Sequence, residues 1–315
     1  MQRVTTMRSL ALVLGIALGA WAQFRTTSTL VLAPVTITDA SGKYVDGLQP
    51  EDLILYDNNV PQPIQVEEAF NPLALIVAIQ ASANSSANLE KLGDTGILFT
   101  HLVAGDRGLT SLLAFADDTR VLSDFTANPD RLAVNLRSLH PRGKGAATLE
   151  AVAEALATLN KRPSSQRRVL LVIAEGRDRS SKIRLEAVAQ AAQRQNVLIY
   201  WLTYSPFVSA LTGSSTSQNA TSGNLLNVFT EVGQQGKPDA AAELTRLTGG
   251  RVIHYLKKES LEEAVQAIGA EVHRQYLVSF QPPPSPPGQY HSIRIVVKGR
   301  PELSARTRAG YWTVQ

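Results

Sequence analysis

The chain has 315 residues, 44% hydrophobic and 18% charged, a globular balance with room for one large core and a smaller second unit. It contains no cysteine, which excludes disulfides, thiolate metal ligation and thiol nucleophiles. The formal net charge of +4 falls by two, to +2, without Arg3 and Arg8, too little to suggest a nucleic-acid partner.

Arg3 and Arg8 precede an apolar run from Leu10 to Leu18, and Ala20-Trp21-Ala22 supplies a small-x-small cleavage site before Gln23. The run is shorter than the roughly 20 residues a spanning helix needs. Residues 1–22 therefore read as a cleaved signal peptide, and no later segment is apolar enough to span. The expectation is an exported protein, periplasmic, cell-surface or secreted, with no membrane span after cleavage.

Residues 24–70 read as β. Leu30, Leu32, Val35 and Ile37 are followed by a turn at Asp39-Ala40-Ser41-Gly42, a second apolar cluster at Leu53-Ile54-Leu55-Tyr56, and another turn at Asp57-Asn58-Asn59. From 71 to 273 the pattern alternates. Apolar runs at Leu73–Ile79, Leu109–Phe115, Val169–Ala174 and Val197–Leu202 predict strands buried on both faces. Helical stripes separate them: Leu149, Val152, Ala153, Leu156 and Leu159, then Leu185, Val188, Ala189 and Ala192, then Leu261, Ala264, Val265, Ile268 and Val272. Gly249-Gly250 ends the helix before it. Strand–helix alternation predicts an α/β fold with a doubly wound, mainly parallel sheet, of the Rossmann-like kind.

The stretch 205–238 is rich in Ser, Thr, Asn, Gly and Gln and poor in apolar anchors, so it reads as a long polar loop, disordered ahead of functional. Residues 274–315 return to β. Tyr276 to Phe280 and Ile293 to Val297 flank the Pro-rich segment 282–288, which cannot be strand interior. The segments 24–70 and 274–315 are each too short to fold alone and are expected to pair into one small β-sandwich. Trp312 and Tyr311 are expected to seal that unit.

Open α/β sheets bind ligands in the crevice beyond the carboxyl ends of their strands. Here the first parallel strand stops abruptly at Gln80-Ala81-Ser82-Ala83-Asn84-Ser85. This loop is rich in hydroxyl and amide oxygens and lacks a carboxylate. Enzyme chemistry finds no foothold nearby. None of His101, His140, His254, His273 and His291 forms a His-Glu-x-x-His pair, and no Gly-x-Ser-x-Gly elbow is present. Gly143-Lys144-Gly145 lacks the spacing of a phosphate loop. Glu175 and His140 are the only conceivable acid/base pair.

Several segments together resemble von Willebrand factor A-type domains, in particular a group of secreted bacterial proteins with such a domain. They are Val35 to Asp39 with Val45-Asp46-Gly47-Leu48 and Glu51-Asp52; Pro72 through Ser85; Arg168 to Gly176; Thr248-Gly249-Gly250; and Arg308-Ala309-Gly310-Tyr311-Trp312. The resemblance implies a metal-ion-dependent adhesion site. In the family an Asp-x-Ser-x-Ser loop, a Thr and an Asp hold a divalent cation, whose open position takes an acidic residue of a partner protein. This chain departs from that pattern. Gln80 stands for the first Asp, Ser82 matches, Asn84 replaces the second Ser, Thr148 is the candidate Thr, and Glu175 replaces the last Asp. With Ser82, Asn84, Thr148 and Glu175 as a degenerate set, one formal charge remains, and Mg²⁺ leans on carboxylates. The expectation is no cofactor, or at most weak magnesium or calcium binding. Gln80, Ser82 and Asn84 are instead expected to bond one another and cap the next helix.

Arg142 and Lys144 precede Thr148; Arg177, Arg179 and Lys182 follow Glu175. These cations are candidate ligands for an acidic partner group held without metal. The competing reading is a solvated basic surface, partly neutralised by Asp178 and Glu175. The expected function is that of a non-catalytic protein-binding or adhesion module. The alternative is a structural scaffold of a cell-envelope assembly whose crevice is unused.

Overall fold

The computed structural model describes residues 30–68, 71–93, 95–175, 178, 180–204, 239–255 and 258–313. The segment read as a signal peptide and the polar stretch 205–238 lie outside the described residues. The chain opens on β1 (Val31–Thr38), β2 (Leu53–Asp57), β3 (Val60–Gln62) and β4 (Gln65–Glu68). An α/β unit follows: β5 (Leu73–Gln80), α1 (Ser86–Leu92), helical turns over 96–104, β6 (Leu109–Phe115), β7 (Thr119–Thr126), α2 (Pro129–Arg137), α3 (Thr148–Asn160), β8 (Arg167–Ile173), α4 (Leu185–Arg194), β9 (Val197–Thr203), α5 (Ala240–Thr248), β10 (Val252–His254) and α6 (Lys258–His273). It closes on β11 (Tyr276–Phe280), β12 (Tyr290–Val297), β13 (Ser304–Arg306) and β14 (Gly310–Trp312).

The α/β unit is built on a sheet of order β10-β9-β8-β5-β6-β7. Its pairings are parallel except β6 with β7, which is antiparallel and bulged. Strand β5 is buried along its whole length because it sits mid-sheet with helices on both faces. Leu73, Leu75, Val77 and Ile79 enter a core shared with Phe99, Leu132 and Ile268. The alternate residues Ala74, Ile76 and Ala78 enter a second core with Val152, Val188 and Leu244. The edge strand β7 is mostly half-buried and polar, so it carries no apolar run. On α3 the buried stripe is wider than the predicted one. Ala151 and Ala155 are buried while Ala153 is only partly so, because this helix packs on α4 as well as on the sheet.

The flanking strands form two four-stranded antiparallel sheets, β13-β1-β11-β4 and β14-β12-β2-β3. Each mixes strands from before and after the α/β unit: Val31 pairs with Phe280, and Leu53 with Val297. Their inner faces meet in one core, with Val31, Ala33, Val35 and Ile37 against Leu55, Ile293 and Ile295. Of the four apolar residues read from this segment, Val35 and Ile37 face the core and the two leucines do not. Leu30 is half exposed and Leu32 points off the core, since alternation runs from Val31. Pro34 costs no ladder bond, because β13 covers only Thr36–Thr38. Tyr311 belongs to the sandwich core as expected, but Trp312 does not. Its ring packs against the α/β helices, and Nε1 donates to Gln193 Oε1 at 3.0 Å.

The two units are joined by a buried polar network. Glu271 on α6 is 1% exposed. Its Oε1 accepts from Arg306 Nη2 of β13 at 2.6 Å and from the Tyr200 hydroxyl of β9 at 2.7 Å, while Arg251 Nε lies 2.8 Å from Oε2. Arg306 also donates to the carbonyls of Gly249 and Gly250. Gln275 donates to Tyr200 and to Thr36 of β1. Burial, reinforced by the Glu271 charge, holds the Tyr200 phenol well above its ordinary pKa, so it stays a donor.

Glu271→Ala leaves two guanidiniums without their carboxylate and is expected to cost about 3 kcal/mol. The expected readout is a lower urea midpoint at unchanged slope. Tyr200→Phe removes one hydrogen bond and should cost about 1 kcal/mol.

Candidate functional site

The chain leaves β5 at Gln80, mid-sheet, and the loops at this carboxyl edge are bound together through their backbones. Ala81 N–H donates to Phe115 O at 2.7 Å, Arg142 N–H to Ala81 O at 2.7 Å, Ala83 N–H to Gly143 O at 3.1 Å, and Ala147 N–H to Ala116 O at 2.7 Å. The crevice floor is therefore preorganised, with segments 81–85, 116–118 and 139–147 held in fixed register.

Gln80 is 2% exposed. Its Oε1 accepts the Glu175 backbone N–H at 3.0 Å, and its Nε2 donates to Ser82 Oγ at 2.9 Å. The Glu175 amide fixes this orientation, because a flipped side chain would set NH₂ against N–H. Ser85 Oγ donates to the Ser82 carbonyl at 2.7 Å. Thr148 is the first residue of α3 and is buried. Its hydroxyl donates to Ala146 O at 3.3 Å, and its N–H donates to Asp178 Oδ1 at 3.3 Å. Ser181 donates to that same Asp178 oxygen at 2.7 Å and accepts the Leu149 N–H at 2.9 Å. Asp178 and Ser181 thus cap the positive end of α3 from a distant loop. The side chain of Asn84, and Arg177 and Arg179, lie outside the described residues.

Asp117 was not singled out from the sequence. Its carboxylate accepts N–H groups of Lys144 at 3.2 Å and Gly145 at 2.9 Å. This explains Gly143-Lys144-Gly145. Gly143 has φ +66°, and a Cβ on either glycine would lie within 2.2 Å of an Asp117 oxygen. Only its place was legible, two residues past the buried run Leu109–Phe115; its partners 27 and 28 residues away were not. Glu150 was missed too. Its Oε1 accepts Lys182 N–H at 2.6 Å and Ile183 N–H at 3.3 Å. Burial opposes its ionisation, but the Ser181 hydroxyl and these N–H groups outweigh burial and hold its pKa below the ordinary value.

The side chains of Arg142, Lys144 and Lys182 are exposed on this rim, while their backbone N–H groups are tied down by Ala81, Asp117 and Glu150. Tyr204 and Tyr255, just past β9 and β10, pack edge to face with ring centroids 6.0 Å apart. The oxygens nearest a cation position are those of Ser82, Thr148, Glu175 and Asp178, and those of Ser82, Thr148 and Asp178 are bonded to protein groups as described above. Among the described residues, no three His, Asp or Glu side chains are arranged to hold a metal ion.

The family model for the von Willebrand factor type A domain matches residues 75–177. No curated protein matches the chain significantly. Among solved structures, a von Willebrand factor type A protein from Catenulispora acidiphila is similar over 92% of this chain and 75% of its own, at 10% identity and TM-score 0.50. The conserved hypothetical protein BatB from Bacteroides thetaiotaomicron is similar over 64% of this chain and 98% of its own, at 18% identity and TM-score 0.43. An aerotolerance-related membrane protein from Bacteroides fragilis has the same coverage and identity, with TM-score 0.44. No helix among the described residues is long and apolar enough to cross a membrane.

Two outcomes test the site geometry. Gln80→Ala leaves a buried N–H and a buried hydroxyl without their partner and should cost about 1–3 kcal/mol in chemical denaturation. The Glu150 pKa is depressed on folding, so its contribution is complete above the unfolded value of 4.5 and is lost as pH falls through the lower folded value. The Lys182 and Ile183 amide resonances should titrate with a midpoint below 4.5, and Glu150→Gln should abolish that titration.

Proposed function

The chain carries a von Willebrand factor A-type domain, and on that premise we propose that it is an exported, non-catalytic protein-binding module that holds an acidic partner group through fixed cations, with no divalent ion between. The observation that carries this reading is the Gln80 amide. In a cation site the residue at this position contributes charge, and Ser82 contributes a lone pair. Here the amide contributes no charge, its carbonyl oxygen is taken by the Glu175 N–H, and its NH₂ donates into the Ser82 oxygen. Of the nearby carboxylates, Asp178 and Asp117 are turned onto backbone N–H groups of the segment 144–148, which leaves Glu175 as the acidic candidate of the set. A divalent ion needs oxygens that face a common point with net negative charge, and this donor set does not fit it.

The described cations of this rim, Arg142, Lys144 and Lys182, are exposed. Arg142 and Lys144 sit on a loop whose backbone is bonded to the β5 and β6 loops, and in this reading their charges hold the acidic group. Arg177, Arg179 and Lys182 complete the proposed acidic-group site. A carboxylate-bearing partner would find guanidinium and ammonium donors where the family presents a metal ion. Catalysis is not part of the proposal, because His140 is exposed and no carboxylate or nucleophile among the described residues is bonded to it.

Calorimetry of the purified protein against Mg²⁺, Ca²⁺ and Mn²⁺ should give no saturable heat below about 1 mM, whereas Gln80→Asp combined with Asn84→Ser should gain divalent affinity by about tenfold or more. An acidic peptide should bind equally with and without chelator, and Arg142→Glu with Lys144→Glu should weaken it about tenfold. A strict magnesium or calcium requirement would defeat the metal-free reading. Absence of any acidic-ligand binding would leave the scaffold role instead.

A further inference from the structure

At the opposite end of the parallel sheet, a cavity of about 590 Å³ lies between the α/β unit and the sandwich. That volume is in the range of small-molecule sites. Its lining draws on both units: Arg167 at the start of β8 and His101 and Arg107 before β6 on one side, Asp46 and Tyr276 on the other. The two connections between the units, from β4 to β5 and from α6 to β11, run beside it, placing His273 and Arg274 in its wall.

The cation Arg167 stands in the cavity wall. Arg167 is partly buried and bonded to neutral acceptors, with Nη1 to Val272 O at 2.9 Å and Nη2 to Gln275 Oε1 at 2.6 Å. Among the described residues no carboxylate pairs with it. Partial burial draws its pKa down to about 10, still well above neutrality, so the guanidinium keeps its positive charge at the cavity wall. Arg274 lies 3.8 Å from Asp46, an ion pair too long for a hydrogen bond, and its guanidinium sits 5.8 Å from the Tyr44 ring centroid. The lining also carries Asp46, Asp106 and Arg107. The wall is also pared back. Gly105 has φ +72°, and a Cβ there would stand 3.0 Å from His273 Cε1, so glycine keeps the imidazole edge clear.

From this uncompensated guanidinium in a roomy, two-sided cavity, we infer that the junction is a binding site for a small molecule bearing a carboxylate or phosphate oxyanion. Arg167 is the inner, partly buried counter-charge, and Arg107 and Arg274 are the exposed donors nearer the mouth. Guanidiniums match both oxyanions with paired N–H donors, and a site partly screened from water strengthens that attraction. The ligand would touch both units at once, so its binding energy would add to their docking. This site is separate from the crevice at the far edge of the sheet, and the two readings stand or fall independently.

The test is titration of the purified protein with inorganic phosphate and, separately, with citrate, at constant ionic strength, by calorimetry and by imidazole resonances. Saturable one-to-one binding of either is expected, moving the His101 and His273 signals and not the His140 signal. Saturation by phosphate alone assigns a phosphoryl ligand, and saturation by citrate alone a carboxylate ligand. Arg274→Gln and Arg107→Gln should each weaken binding about fivefold or more, while Arg142→Glu with Lys144→Glu leaves it unchanged. These exposed-side variants avoid the folding risk of changing Arg167. Failure of both anions to saturate below about 10 mM would overturn the assignment. So would equal binding by the Arg274→Gln and Arg107→Gln proteins, or loss of binding in the Arg142/Lys144 variant.

Discussion

A single carboxylate, that of Glu271, governs how the two units of this protein sit against each other. Taking an ion out of water is costly, and the cost is recovered only when opposite charge and hydrogen bonds surround it. Glu271 meets that condition by drawing Arg251 from the end of the α/β sheet, Arg306 from the sandwich and Tyr200 from a buried strand onto its two oxygens. Arg306 in turn reaches the carbonyls that close α5 at Gly249 and Gly250. Gly250 packs so tightly that a Cβ would lie 1.9 Å from Ile199 O. Geometry at the junction is therefore tied to the strand ends, and through β8 and β9 to the loops at the far edge of the sheet.

Beyond the network, Arg308 plays a comparable part with neutral partners. Its guanidinium is buried and donates to the carbonyls of Gly310, Leu32 and Gln193 and to Asn196 Oδ1, stitching β1, α4 and β14 together. Within the sandwich, Asp57 accepts from Tyr311 at 2.9 Å and lies 2.8 Å from His291 Nδ1. Without a disulfide available, the fold places its polar contacts where strands from opposite ends of the chain must be aligned. Apolar burial supplies most of the stabilisation, and these directional bonds select one alignment of the strands.

The α/β pattern was legible because β5, β6, β8 and β9 are buried on both faces and must be continuously apolar. The edge strand β7 escaped, since one side of it faces solvent and its sequence Thr-Arg-Val-Leu-Ser-Asp-Phe-Thr carries no run. Helix α2 was also passed over, although Asn128 and Pro129 form a plain start signal, with the Asn128 side chain accepting the Arg131 N–H. In β1, Val35 and Ile37 were read as apolar and are core, whereas Leu30 and Leu32 drew attention by size over the smaller inward Val31 and Ala33. At the crevice, Gln80, Ser82 and Thr148 could be read from their place after a strand. The capping roles of Asp117, Glu150 and Asp178 could not, because each reaches a backbone group 27 or more residues away. The Glu271 cluster was hidden for the same reason, one acid between two positions of an apolar stripe.

The interleaved strand order has a consequence for how the molecule is assembled. Strands β1 to β4 leave the ribosome first, yet β1 and β2 find their sheet partners β11 and β12 more than two hundred residues later. Closing so long a loop from an open chain carries a large entropic cost and a slow search. Once the α/β unit has folded, its first strand and last helix hand the two ends back side by side, and the gap shrinks to a few residues. The sandwich is thus a late product, and until then its early strands present unpaired edges that invite association with other chains.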